Sequence, residues 1–230
     1  MQKIKQIYRA NYTGEDVVTN LTYEHGEWTP ETESIPNSVF NTHTTTQAVA
    51  IANGPTREEL NLIHIADHKG GLLGVDKLQS YGCNTLYKDF TPDFLVAVGD
   101  ENVKELAESN YSDDNIVYVN GEHLINYPGK FYLIPQNLSY DAGSLAAYLA
   151  CFDGHKKVFL LGYDSYTEFN DHRTQAFFIK ALLEVMKTYN DVEFVRVMPT
   201  ENYSVAPELI SLPNFRQINY RDFVIEADLG

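Results

Sequence analysis

Cysteine is scarce in this chain. Only Cys83 and Cys151 occur in 230 residues, and neither has a partner at metal-ligand spacing, so no zinc site is signalled. Both read as small, buried side chains, Cys83 lying beside a candidate site. Basic residues are also few. Against 32 Asp and Glu there are 17 Lys and Arg, a formal net charge of −15, which argues against long contacts with a nucleic-acid backbone. A small anionic ligand remains open, because helix N-termini and backbone amides bind phosphate without a basic surface. No apolar run approaches the ~20 residues that span a bilayer. The opening MQKIKQIYRANY lacks the apolar core and cleavage site of a signal peptide, so no membrane partner is expected and the cytoplasm is the expected compartment. No repeat or low-complexity segment is visible.

With 43% hydrophobic and 21% charged residues, the chain has the composition of a folded domain. Residues 1–45 stand apart from 46–230. IYRANYT and DVVTNLTYEHGEW alternate apolar and polar residues around Thr13-Gly14, which predicts an antiparallel hairpin. PETESIPNS, with two prolines, reads as a loop. The hairpin is too small for its own core and is expected to pack on the main domain.

From Gln47 the pattern changes. AVAIA is an all-apolar strand that runs into Asn53-Gly54-Pro55-Thr56, and Thr56 with Glu59 suggests a capping box opening a helix. Apolar stretches flank a turn at Gly82-Cys83-Asn84. FLVAVGD predicts a buried strand ending at Asp100, and ENVKELAESN a helix. NIVYVN and KFYLIP are further strands. An Ala-rich helix opens through Asp141-Ala142-Gly143-Ser144. KKVFLLGYD is a strand ending in Gly162-Tyr163-Asp164. HRTQAFFIKALLEVMKTY is an amphipathic helix, and VEFVRVMP the last clear strand. This alternation predicts a Rossmann-like α/β domain, a mostly parallel sheet with helices on both faces and the hairpin appended.

In such sheets ligands sit outside the carboxyl ends of the strands, at the switch point of strand order. The residues to inspect are therefore Asn53 to Thr56, Gly82 to Asn84, Gly99-Asp100, Asp141 to Ser144 and Gly162 to Tyr166. Strand-end glycines and aspartates are also ordinary turn formers. Asp100 reads either as a metal-binding carboxylate or as a helix cap, and Asp164 as a brace of its turn or as part of the donor site. His25, His43, His64, His68, His123 and His155 show no ligand spacing.

Four segments in order resemble the family 42 sialyltransferases: AIANGPT their opening turn, GCNTLY their second motif, AGSLAAYLACFDGHKKVFLLGYDSY their central helix and strand, and HRTQAFFIKALLEVMKTYNDVEFVRVMP their late helix and strand. The 6-hydroxymethylpterin diphosphokinase-like proteins share the Asn-Gly-Pro opening. The sialyltransferase resemblance implies an inverting, metal-independent glycosyltransferase that takes a nucleotide sugar and a hydroxyl acceptor. It implies that Asn53, Gly54, Pro55 and Thr56 face the nucleotide, and that Asn84 holds the donor sugar or its phosphate. Ala142, Gly143 and Ser144 would lie under phosphates or ribose, with Asp164 nearby. Tyr166 would donate its hydroxyl to the leaving phosphate, and His172 would deprotonate the acceptor. Histidine titrates near neutrality and suits a general base; a tyrosine hydroxyl stabilises developing charge without a metal.

The sequence departs from that family at Ala52, which stands for a glycine, Ala142 for a serine and Asp141 for a threonine. The gap between Tyr166 and His172 is also short. A carboxylate at 141 would repel a phosphate unless a metal or a proton intervened. The alternative is diphosphoryl transfer from ATP, with Mg²⁺ on Asp100, Asp141 or Asp164; only Arg57, Lys88 and Arg173 lie near the turns in sequence to clamp its phosphates. A third reading is a non-catalytic module whose hairpin adds a strand to a partner. A homo-oligomer is compatible with each reading.

Overall fold

The computed structural model describes residues 1–9, 15–36, 45–67, 78–164, 172–200 and 203–230. Eight strands form a parallel sheet in the order β11-β10-β9-β4-β5-β6-β7-β8: β4 (Gln47–Ile51), β5 (Gln79–Cys83), β6 (Phe94–Val96), β7 (Ile116–Val119), β8 (Tyr132–Leu133), β9 (Lys157–Leu161), β10 (Glu193–Met198) and β11 (Phe215–Asn219). The chain builds outward from β4 to β8, then crosses back to lay β9, β10 and β11 on the other side of β4. Strand order therefore reverses between β4 and β9. The six adjacent strands β6-β5-β4-β9-β10-β11 have the 3-2-1-4-5-6 order of dinucleotide-binding sheets.

Both faces are covered, and β4 shows how. Ala48 and Ala50 point into one core with Leu145, Ala146 and Leu149 of helix α5 (Ala142–Phe152) and Leu182 and Met186 of α6 (His172–Thr188). Val49 and Ile51 point into the other, with Val103 and Leu106 of α2 (Asp100–Glu108), Leu124 of α4 (Gly121–Asn126) and Phe223 of α8 (Tyr220–Glu226). This is the two-residue period of a strand buried on both faces. Residues 142–151 are all buried, which explains why α5 is apolar all round. Shorter helices are α1 (Ile63–Ala66), α3 (Tyr111–Asp114) and α7 (Pro207–Ile210). No helix among the described residues is long and apolar enough to cross a membrane.

Three expectations need correction. The described residues of 1–45 form three strands, β1 (Gln2–Arg9), β2 (Glu15–Glu24) and β3 (Glu27–Pro36), so Pro30 to Pro36 of the stretch read as a loop belong to the outer strand. The predicted turn at Thr13-Gly14 lies outside the described residues. A second turn at His25-Gly26, both with positive φ, closes β2 onto β3 as a two-residue hairpin. Thr56 and Glu59 form no capping box: Pro55–Glu59 is a 3₁₀ turn with no side-chain cap. VEFVRVMP is followed by one more parallel strand, β11.

The three N-terminal strands are antiparallel and join the parallel sheet through one register pair, Tyr8↔Leu133. Every residue of β3 is exposed. Since Glu24↔Glu27 closes a two-residue hairpin, alternate residues from Trp28 onward turn their backbone polar groups to the open edge. Pro30 and Pro36 fall at those positions and remove two donors there, a usual protection of an exposed edge. Strand addition by a partner would meet the same gaps.

The β9–β10–β11 side is tied by charge. Lys157 Nζ lies 2.7 Å from Glu226 and 3.3 Å from Glu193, Arg216 Nε lies 2.7 Å from Glu193, and Arg216 also bonds Glu226. Partial burial works against the charge on both glutamates, but Arg216 and Lys157 outweigh it, so both sit below the ordinary value of 4.5. A lowered carboxyl contributes stability that is full above its unfolded value and is lost as pH falls through the folded one. Glu226→Gln is therefore expected to cost about 1 kcal/mol at pH 7, after allowance for solvent screening. The cost should shrink as pH falls below 4.5 and vanish only at a pH below the lowered value of folded Glu226, where both proteins carry an uncharged side chain at 226. Urea midpoints at the two pH values check it.

Candidate functional site

A cavity of about 410 Å³ opens at the carboxyl ends of β4, β5, β6 and β9, against the start of α5. It sits at the reversal of strand order, where the fold leaves a crevice between neighbouring crossovers. Its floor is Ala52, Asn53 and Gly54 after β4, Cys83 and Asn84 at the end of β5, and Gly162 after β9. Val98 and Gly99 follow β6, Asp141, Ala142 and Gly143 open α5, and Phe177 and Phe178 reach it from α6. Among the described residues no lysine or arginine lines it.

The β4 turn is fixed from beneath. Ala52 N–H donates to Leu161 O at 2.8 Å and Gly54 N–H to Gly162 O at 3.0 Å. Asp164, fully buried, accepts the Thr56 N–H at 2.7 Å. A Cβ on Gly54 would lie 1.7 Å from Asp164 Oδ1 and 2.3 Å from Gly162 O. Glycine at 54 is thus the condition for placing the Asp164 carboxylate under the turn. Asp164 holds the turn and does not line the cavity. Nor do Pro55, which starts the 3₁₀ turn, or the buried Thr56.

Two asparagines face the cavity. Asn53 Nδ2 donates to Cys83 O at 2.8 Å, tying β4 to β5. Asn84, at φ 46°, accepts the Val98 N–H on Oδ1 at 3.0 Å, tying β5 to β6. The left-handed conformation is one that asparagine tolerates better than most residues. Asn84 Nδ2 has no partner among the described residues. Burial, and then the Asp141 charge, push the Cys83 thiol up to about 12, with Arg57 acting the other way. Cys83 is a neutral wall and not a nucleophile.

Asp141 is the N-cap of α5. Its Oδ1 accepts the Ser144 N–H at 2.9 Å. Ser144 is fully buried and outside the cavity lining, so the expectation that its amide is free for an anion is corrected: the chain's own carboxylate holds it. Asp141 Oδ2 is buried without a hydrogen-bond partner among the described residues. Burial raises this carboxyl above the ordinary carboxylate value, with the Ser144 hydrogen bonds acting against it.

Of the other candidates, Asp100 is 95% exposed on its side chain. It is the first residue of α2 rather than its cap, which is Gly99. Among the described residues no three His, Cys, Asp or Glu side chains converge on a metal-sized site. Asp100, Asp141 and Asp164 therefore do not make one cluster. His172 is the first residue of α6, five residues before Phe177 and so about 7.5 Å along the axis. Tyr166 lies outside the described residues.

The sequence reading missed Val98, Phe177 and Phe178. Phe177 is 50% exposed, although it stands four and eight residues before the buried Ala181 and Val185 and so reads as part of the apolar stripe of its helix; periodicity gave no signal for it. Compared with family models, with curated proteins and with solved structures, the chain matches none of them.

Proposed function

We propose that the protein is a nucleotide-sugar-dependent glycosyltransferase whose donor occupies the cavity at the β4–β9 reversal. The observation that supports it is the lining itself. Asn53 and Gly54, Asn84, and Ala142 and Gly143 are far apart in sequence, carry the sialyltransferase resemblance, and line one cavity beside a helix that begins at His172.

In the reaction an acceptor hydroxyl oxygen attacks the anomeric carbon as the bond from that carbon to the phosphate oxygen breaks. The leaving nucleotide keeps the electron pair, and His172 takes the acceptor proton. Tyr166 supplies a hydroxyl to the departing phosphate, as the resemblance implies. Glycosyl transfer is favoured over diphosphoryl transfer from ATP because, of the three carboxylates the latter would use, only Asp141 lines the cavity.

The test does not need the acceptor, since water substitutes slowly for it. With CMP-, UDP- and GDP-linked sugars in EDTA, one nucleotide class should be released above the uncatalysed rate. Release seen only from ATP, and only with Mg²⁺, would replace this reading with the diphosphokinase one.

A further inference from the structure

Among the described residues the sheet ends in two open edges, β3 and β11, and they differ in kind. β3 contains Pro30 and Pro36 and carries Glu27, Glu31 and Glu33 without a basic residue. Two copies of a chain with net charge −15 repel there. β11 reads FRQIN, with no proline and no acidic residue. Its one charge, Arg216, is bound to Glu193 and Glu226.

The backbone of β11 sets what it can pair with. Phe194 N–H donates to Asn214 O at 2.8 Å, in the parallel register Phe194↔Phe215. Asn214, Arg216 and Ile218 therefore turn their backbone polar groups to β10, and Phe215, Gln217 and Asn219 turn theirs to the open edge. Phe215 N–H is spent on Leu212 O at 3.3 Å. Asn219 is the N-cap of α8, so its carbonyl is spent on that helix. Gln217 alone offers both a backbone donor and a backbone acceptor, and neither has a partner among the described residues. A helix packs on each face of this strand, α7 through Leu209 and α8 through Phe223. Ile210 of α7 and Ile225 of α8 are 63% and 68% exposed, the most exposed isoleucines among the described residues.

We propose that β11 pairs antiparallel with β11 of a second copy, about a two-fold axis at Gln217, so that one sheet runs through a homodimer. In a hydrogen-bonded antiparallel pair the two residues exchange both N–H···O bonds, and Gln217 thereby satisfies Gln217 of the partner subunit. An isologous contact closes on itself, so assembly stops at two chains. One strand pair is too small for a stable interface, and the apolar surface at Ile210 and Ile225 extends it. β10 separates this edge from the strands that carry the cavity, so the dimer stands apart from the reaction proposed above.

Sedimentation over a range of concentrations, with hydrogen exchange at the Gln217 amide read by NMR, tests this on the wild type, Gln217→Ala and Gln217→Pro. Both variants lose the side chain that accepts from Arg196 and donates to Tyr203 O, but only proline removes the edge N–H. The wild type should sediment at twice the mass of one chain and dissociate on dilution, with Gln217 exchange accelerating in step. Gln217→Ala should remain a dimer. Gln217→Pro, which removes two bonds at once because of the symmetry, should raise the dissociation constant at least ~10-fold. Melting curves establish that each variant folds, and the exchange measurement decides the matter on the wild type alone. A monomer at every concentration would overturn the proposal, as would a mass that grows beyond two chains. A dimer whose Gln217 amide exchanges at the same rate after dilution would place the interface elsewhere. A folded Gln217→Pro that dimerises like the wild type would do the same.

Discussion

Gly54→Ala should lower the melting temperature by roughly 10 °C, the equivalent of about 3 kcal/mol for a chain of this size. The reason is space and not backbone freedom. Gly54 sits at φ −68° and ψ 153°, which any residue can adopt. The added methyl would overlap Asp164 Oδ1 at 1.7 Å and Gly162 O at 2.3 Å. Relief requires moving one of them. If the carboxylate moves, the Thr56 amide loses its acceptor, at a cost of about 1–3 kcal/mol for a buried donor. If the turn moves, the bond from Gly54 to Gly162 is lost and the cavity floor shifts. Gly121→Ala is the control, because its new Cβ would meet nothing closer than 3.6 Å. A Gly54→Ala protein melting within a degree or two of the wild type would mean that Asp164 does not stand under the turn.

His172→Ala should reduce donor turnover by ~10²–10⁴-fold, the usual contribution of a general base, and leave nucleotide affinity within about twofold. The separation matters because α6 also brings Phe177 and Phe178 to the cavity. A variant that distorted the helix would lose binding and turnover together. Release rates give the first quantity and ligand-dependent melting the second. Equal loss of both would make position 172 a support of the helix, and undiminished turnover would remove it from the reaction.

The parallel sheet was legible because its strands are short apolar runs with a glycine, asparagine or aspartate after them. AVAIA can be satisfied only by burial on both faces, and the neighbouring helices supply it. The site was legible to the extent that it lies on those strand ends: Asn53, Gly54, Asn84, Ala142 and Gly143 line one cavity. What stayed hidden depends on partners distant in sequence. Thr56 looked like a helix cap because the local pattern is right, but its amide is taken by Asp164, 108 residues away. β3 has no apolar alternation; its pairing with β2 and the His25-Gly26 turn make it a strand. Phe177 follows its helix's periodicity closely enough to pass for core. Only the direction of the helix against the sheet turns it to the cavity.

The central claim is that the cavity at the β4–β9 reversal is a nucleotide site, and ligand-dependent melting of the wild type tests it most directly. CMP, UDP, GDP and ATP would each be added with and without Mg²⁺. A ligand at a hundredfold excess over its Kd stabilises the folded state by about 2.7 kcal/mol, well above the resolution of a melting curve. The account predicts a shift with one nucleotide that does not need the metal, and its loss in Gly54→Ala at temperatures where that variant is still folded. No shift with any of the four would contradict it.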